Sequence, residues 1–527
     1  MVAIGIADRA KTLFLGFGIF GGLFLSSVMI GWLATSGNPL FVVIPTAILI
    51  GLFVASRFSW LFWAAVYGGL VVSGVTRLYV PALEQVRWLL APVAILLLAH
   101  VLVRNLGSRP TAAMTGIPSV LWWAFAFILA ALVSSIVNGF QLDRFVIGFK
   151  GYFQVWPLLF AMALIAWPAG MIERLPKALF IIALVQIPFV LHQLLVLVPA
   201  RVGMGNDIVP IDVVAGTFGA SFEGGGANAI MNAFLMIVIA GLVAGRQLGL
   251  VSRLQTWGFG AILLVPVLVN EAKVSVFYLL ALFLVLFGSD LVKRPLRFLA
   301  AGLAAFLLLG ALIVAYTLNA PDHERIEGWR DLVRYTYEHN IEKDEIGGKM
   351  SRFGALRFWA ERHESSEWRT IVFGHGIGYT RVPDARAFPE GTVKQEQGGV
   401  TIEIDLKNDI GNTAVAALLW ETGLLGLFCV FALLGSTFRT AERLERRCAD
   451  RPERVMALRA ARVGMLIIFV TLWHKNVLVL DVVYQTLVML LIGYVAYLDR
   501  RTMGAAVQVG ARPRASARPA TRPGVGG

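Results

Sequence analysis

Long apolar runs, broken by short polar connections, repeat along almost the whole chain. A helix rises about 1.5 Å per residue, so roughly 17 to 25 apolar residues cross a hydrocarbon core of about 30 Å. By that measure spans are predicted near 13–34, 39–55, 59–75, 86–103, 118–136, 147–167, 176–198, 229–245, 256–270, 272–288, 298–318, 413–435, 463–480 and 482–498. A bilayer offers no water to unpaired backbone groups, so each run must be helical. The predicted fold class is therefore all-α, a polytopic membrane helical bundle of about 14 transmembrane helices with both termini on one side. "NEAK", Asn270 to Lys273, interrupts one long run and reads as a turn at the membrane face.

Two segments break the rhythm. Residues 199–228 are glycine-rich and irregular. Residues 319–411 form a loop of about ninety residues with 17 acids and 13 Lys or Arg. Its first half predicts amphipathic surface helices, because "RIEGWRDLVRYTYEHNIE" and "SRFGALRFWAERHE" repeat apolar residues every three or four positions. From 380 to 411 the Pro and Gly content predicts a mobile loop, a candidate lid. The organisation expected is a membrane bundle over 1–318, the large loop over 319–411, a second part of the bundle over 412–498 and a disordered basic tail over 499–527, rich in Ala, Arg, Pro and Gly.

Charge fixes the expected orientation. Short loops carrying Lys and Arg mark the cytoplasmic side. Arg57, Arg104, Arg174, Arg246, Lys293, the tail and the 436–462 loop, with eight arginines against four acids, all fall on one side of a fourteen-span chain. Both termini are thus expected in the cytoplasm and both long segments outside. With 57% hydrophobic and 15% charged residues, the chain lies far from ordinary soluble domains. The net charge of +13 gathers in loops against anionic lipid, with no basic and aromatic module for nucleic acid. The first apolar run lacks a small-residue cleavage site and is expected to stay as an anchor. Cys429 and Cys448 sit in a span and in the 436–462 loop, where neither an external disulfide nor a metal cluster is expected.

Few residues offer chemistry. Glu421 lies eight residues inside the twelfth span, roughly 12 Å from its external end, a depth at which a carboxylate marks either a function or a helix contact. Arginines in the external segments suit phosphate oxygens through their planar fork. Of these, Arg352 and Arg357 stand beside Trp359 in an expected surface helix, and Arg201 opens the smaller segment. Lys273 and Lys150, near membrane faces, read as either snorkelling residues or phosphate binders. His375 lies in "GHGIG", where Gly374 and Gly376 permit tight turns and close approach to a ligand, and the histidine is a candidate base or a simple cap.

The order of these features resembles the O-antigen ligase and polymerase superfamily of membrane glycosyltransferases. The features that match are a large late loop with an Arg and Trp helix, "FGHGIG" at 373–378, and "ETGLLG" from Glu421 to Gly426; "GTFG" from Gly216 to Gly219 resembles a further family stretch. In the family a span opens with His-Asn nine residues before the Glu. Here Asn412 and Thr413 hold those places, and Ala416 stands where the family has Leu. An Asn can hold a hydroxyl but cannot take its proton, so His375, Asp409 or another carboxylate must substitute, or transfer proceeds without a strong base.

The resemblance implies a metal-independent enzyme, without cofactor, that transfers an undecaprenyl pyrophosphate-linked glycan to an acceptor sugar hydroxyl at the outer face of the inner membrane. Arg352, Arg357, Asn412, Glu421 and His375 would be its catalytic residues, and Arg201, Lys273, Lys150, Gly374 and Gly376 would bind substrate. The Arg to Trp spacing favours a polymerase of surface polysaccharide. Transfer to another acceptor by a ligase, or a polysaccharide transporter or flippase, is the alternative. The implied partners are the lipid-linked oligosaccharide, membrane lipids and other polysaccharide assembly proteins.

Overall fold

The structure, a computed structural model, describes residues 58–106, 116–202, 210–220, 227–319, 351–381, 392–405 and 410–510, with short gaps inside these ranges, and a few single residues besides. The expected spans 13–34 and 39–55, Asp409 and all of the expected helix at 325–342 except the helical Arg330, Arg334 and Tyr337 lie outside the described residues. The rest is a helical membrane bundle. Among the described residues eight helices are long and apolar enough to cross a membrane, or nine with one bent pair, and three more apolar helices are shorter.

In chain order they are α1 (Ser59–Tyr79), α2 (Pro81–His100), α3 (Ser119–Val137), α4 (Leu142–Phe153), α5 (Trp156–Leu164), α6 (Ile172–Arg201), α7 (Asn228–Gln247), α8 (Arg253–Val269), α9 (Ser275–Phe287) and α10 (Pro295–Asn319). The long loop supplies α11 (Arg352–Arg362) and α12 (Trp368–Phe373). The last three are α13 (Ala414–Arg447), α14 (Pro452–His474) and α15 (Val482–Gly510). α15 is apolar on all sides and buried along its membrane-crossing length, as the central helix of a bundle must be.

Each expected span from 59–75 onward falls on a helix, with four differences that bear on function. The expected span 147–167 is two helices, α4 and α5, bent by 50°. The expected loop 436–462 is instead a helical hairpin, because α13 runs on to Arg447 and α14 starts at Pro452. The expected span 463–480 ends at His474, and Lys475 and Asn476 interrupt it before a short turn, Val477–Leu480. The first part of the expected disordered tail, 499–510, is helical, since α15 continues to Gly510, anchored where Arg500 donates to the Ala163 carbonyl at 2.7 Å; residues 511–527 lie outside the described residues.

Within 380–411 the chain forms a hairpin, β1 (Thr392–Gln397) pairing antiparallel with β2 (Val400–Asp405), with Val393 opposite Ile404. The apolar-polar alternation Val400, Ile402, Ile404 carries the strand period that Gly398 and Gly399 obscured. Along 351–364 the expected surface helix forms as α11, capped where the Ser351 hydroxyl accepts the Gly354 N–H at 2.8 Å.

Candidate functional site

Two glycine-rich turns plug one end of the bundle. The first is Gly374–Thr380, wedged between α3, α4 and α13. Gly423 takes φ +64° and breaks α13, so Ala414–Thr422 is a separate helical segment. A Cβ at Gly423 would stand 2.3 Å from the Val372 carbonyl oxygen, which is why only glycine lets the loop pass. Ser134, in the last turn of α3, donates to the Glu421 carbonyl at 2.6 Å, and Asn138 donates to the Gly374 carbonyl at 2.8 Å. Glu421 is therefore level with the last turn of α3, and the helical segment that carries it ends at Gly423.

The Glu421 side chain is 1% exposed, and its Oε1 accepts the backbone N–H of Thr380 at 3.0 Å and the Thr380 hydroxyl. This carboxylate holds the turn in place. Its other oxygen, Oε2, is buried without a hydrogen-bond partner among the described residues.

His375 is walled between rings, stacked on Tyr379 at 4.5 Å and on Trp420 at 5.5 Å. Its Nε2 lies 2.9 Å from Nε2 of His363. The Nδ1 of His363 faces the Trp359 carbonyl at 2.7 Å; a carbonyl only accepts, so that nitrogen carries a proton. In neutral His363 the Nε2 then accepts, and His375 donates. The imidazole nitrogen nearest a partner is thus committed to another histidine. Arg144, buried in α4, lies over the Tyr379 ring at 5.3 Å and completes this cage.

The second plug is the "GTFG" turn, Gly216 to Gly219. Gln193 accepts the N–H groups of Ala215 and Gly216 at 3.0 and 2.7 Å, and Gln186 accepts that of Thr217 at 2.7 Å. Both glutamines are buried in α6, so the sequence's irregular segment is fixed by side chains of a span. Gly74 of α1 touches this turn so closely that a Cβ there would lie 2.0 Å from the Thr217 carbonyl oxygen.

Between the two plugs lies a polar cavity of about 110 Å³, room for several waters or a small polyanion. Arg77, Arg87, Lys150 and Arg381 line it, with Asp481 as the carboxylate of the lining. Phe218 of the GTFG turn and Gly74 close one side. Glu84 pairs with Arg87 at 3.1 Å and stands 3.9 Å from Arg77, while Arg381 donates to the Val479 carbonyl at 3.2 Å. Lys150 Nζ sits 3.4 Å above the centre of the exposed Trp88 ring. Four cations against two carboxylates make a pre-formed anion site.

The short turn that follows the break after α14 lends Val479 and Leu480 to the lining. Arg352 Nε donates to the His474 carbonyl at 2.8 Å, Asn412 donates to the Ser351 carbonyl at 3.3 Å, and the N–H of Asn476 donates to the Asn412 carbonyl at 3.0 Å. The structure therefore brings Arg352 and Asn412 together. Lys475, in the break, is water-accessible although protein surrounds it on most sides, as a residue lining a hollow would be. Burial lowers its ammonium below the ordinary lysine range, Asp212 and Asp481 act the other way, and Arg77 and Arg352 add to the lowering. Arg201 is 1% exposed, donates to the Pro210 carbonyl at 3.2 Å and lies within electrostatic reach of Asp212.

Other expected site residues stand apart. Arg357 is exposed and paired with Glu361 at 2.6 Å; five helical residues turn it about 140° away from Arg352. Lys273 lies half-buried in the expected turn between α8 and α9, beside a buried knot in which Asn232 donates to Asn270 and to Ser275, both at 2.7 Å. Gly374 and Gly376, both at positive φ, shape the first plug by close backbone packing, with the Gly376 N–H donating to the Glu421 carbonyl at 3.1 Å. Among the described residues no three His, Cys, Asp or Glu side chains gather as a metal site requires.

Sequence reasoning missed Arg77, Arg87, Lys475 and Asp481. A signal was present for the first two, which occupy a connection on the side where the positive-inside rule predicts few cations. No family model matches the chain, and no curated protein matches it either.

Proposed function

We propose that the chain is a membrane glycosyltransferase that uses a polyprenyl pyrophosphate-linked glycan and extends a surface polysaccharide at the outer face of the bacterial inner membrane. The observation that carries this reading is the cavity lined by Arg77, Arg87, Lys150 and Arg381 at the level of the helix ends. A lipid diphosphate presents its charge at that depth, with its chain in the bilayer and its sugar in water. Transfer breaks the bond between the anomeric carbon and a phosphate oxygen, and the electron pair departs with the pyrophosphate. Fixed cations around that oxygen stabilise the developing charge more than they stabilise the bound substrate. Asn412 and Arg352, at the break after α14, are placed for the acceptor sugar. The two plugs hold these elements, and Glu421 acts through Thr380 on the loop that carries Arg381.

Transport of the same lipid-linked glycan is a second reading, favoured by the 50° bend between α4 and α5 and the break at Gly423, since transporters build sites at broken helices. One experiment separates them. Cells lacking the protein are complemented with wild type or with Arg77→Ala, and surface glycans are resolved by electrophoresis. Retained single units with loss of long chains support the polymerase; loss of all surface units supports transport; unchanged chain length ends the polymerase reading.

A further inference from the structure

We propose that Asp481 takes the proton of the acceptor hydroxyl in the cavity whose cations hold the leaving pyrophosphate, an assignment that rests on the transferase reading above. Where the family that the chain resembles has a histidine stands Asn412, which cannot act as a base, so a transfer that uses one draws it from another group; Asp409 lies outside the described residues. Two obvious substitutes are committed elsewhere: Glu421 to Thr380, and His375 to His363 between two aromatic rings. Asp212 pairs with Asn228 at 3.2 Å. Among the described residues lining the cavity, Asp481 is the carboxylate.

Its position is fixed from several directions. Asp481 Oδ1 accepts the N–H of Tyr484 at 2.8 Å, and its own N–H donates to the Val477 carbonyl at 3.1 Å. Gln485, wholly buried, donates to the Leu478 carbonyl at 2.7 Å, and Arg381 holds the Val479 carbonyl. One carboxylate oxygen thus anchors the residue while the side chain still lines the hollow. Burial raises its carboxyl above the ordinary aspartate range, against the opposing pull of the Tyr484 N–H, Arg77, the Val483 N–H and Lys475, which moves it toward the range useful to a base near neutral pH.

The groups facing it are Arg77 from α1, Arg87 from the start of α2, Lys150 from α4, Arg381 just after the first plug, and Lys475 in the break after α14. In the step assigned, the hydroxyl proton passes to the Asp481 carboxylate as its oxygen bonds the anomeric carbon. The bond from that carbon to the phosphate oxygen breaks, and the freed pyrophosphate takes the electron pair. Asp481 then returns the proton to water.

The competing role is helix capping, because Asp481 precedes α15 and accepts a first-turn N–H. Asn and Ser cap helices about as well as Asp, so they separate the two roles. Purified full-length protein in lipid vesicles is supplied with polyprenyl pyrophosphate-linked oligosaccharide, and chain extension is timed on gels. Asp481→Asn and Asp481→Ser are expected to melt like wild type and to extend chains roughly 10²- to 10⁴-fold more slowly, whereas Asp481→Glu regains part of the rate. An Asp481→Asn rate within about tenfold of wild type overturns the assignment while leaving the transferase reading intact. Wild type that extends nothing overturns both. If neither neutral variant folds, the wild-type pH profile decides: a base demands a rate that falls toward acid, and a flat profile down to about pH 5 overturns the proposal.

Discussion

The two polar ends of the bundle use the same residue type in opposite ways. At the end where α5, α13, α14 and α15 meet, arginines close onto carboxylates. Glu173 takes Arg454 at 2.7 Å and also Arg501, Glu445 takes Arg462 at 3.1 Å and Arg459 at 3.4 Å, and Asp499 takes Arg443 at 3.4 Å. Arg459 also reaches Gln247 on α7 at 2.9 Å, so the network ties five helices, α6, α7, α13, α14 and α15. At the cavity end Arg77 and Arg87 share Glu84, and Arg381 and Lys150 face a hollow beside Asp481. Cations that end on carboxylates fasten helices; cations arranged around a cavity leave an unfilled demand for negative charge.

The contrast can be broken most decisively at the cavity. Arg77→Ala combined with Arg381→Ala is expected to slow chain extension by about 10²- to 10³-fold, the scale lost when a donor to a developing anion is removed, with little change in melting temperature. A variant that melts early but turns over normally would make this end structural too. Next in size is Glu421→Ala, which strands the buried Thr380 N–H and should cost about 1–3 kcal/mol of stability in a denaturation assay. Glu421→Gln keeps an acceptor and should restore both fold and transfer. A folded but inactive Gln variant would return Glu421 to the chemistry.

At the paired end, Glu173→Ala releases two partly buried arginines and should lower stability by about 1–2 kcal/mol, with turnover per folded molecule unchanged. The smallest effect belongs to Arg357→Ala. Its exposed pair with Glu361 predicts a change within about 0.5 kcal/mol and normal chain extension. Lost extension there would revive the part that the family resemblance implied for it.

Much of the frame was legible because the membrane enforces it. The position of nearly every span followed from apolar run length, and α11 followed from its three- and four-residue spacing. The "NEAK" turn was legible as well, since a polar tetrapeptide inside an apolar run has one place to go. Lys150, singled out in the sequence for its place near a membrane face, lines the cavity. The break at Gly423 was not legible, because a positive φ leaves no mark in hydropathy. Asp481 was passed over because its neighbours in sequence are apolar, while its charged neighbours come from α1, α4 and the break after α14.

By itself, then, the sequence determined a multi-pass helical bundle, its arginine-rich connection at 436–462 and the presence of two glycine turns among long connections. Those features depend on local composition and on the cost of burying unpaired backbone in lipid, which act on each segment separately. Only the tertiary structure decided that the two turns plug the same end, that Glu421 holds a loop, and that Arg77, Arg87, Lys150, Arg381 and Asp481 share one hollow. These residues lie as much as about four hundred positions apart in the chain. Their meeting is set by helix packing and by buried hydrogen bonds from Ser134, Gln186, Gln193 and Gln485, none of which a one-dimensional pattern records.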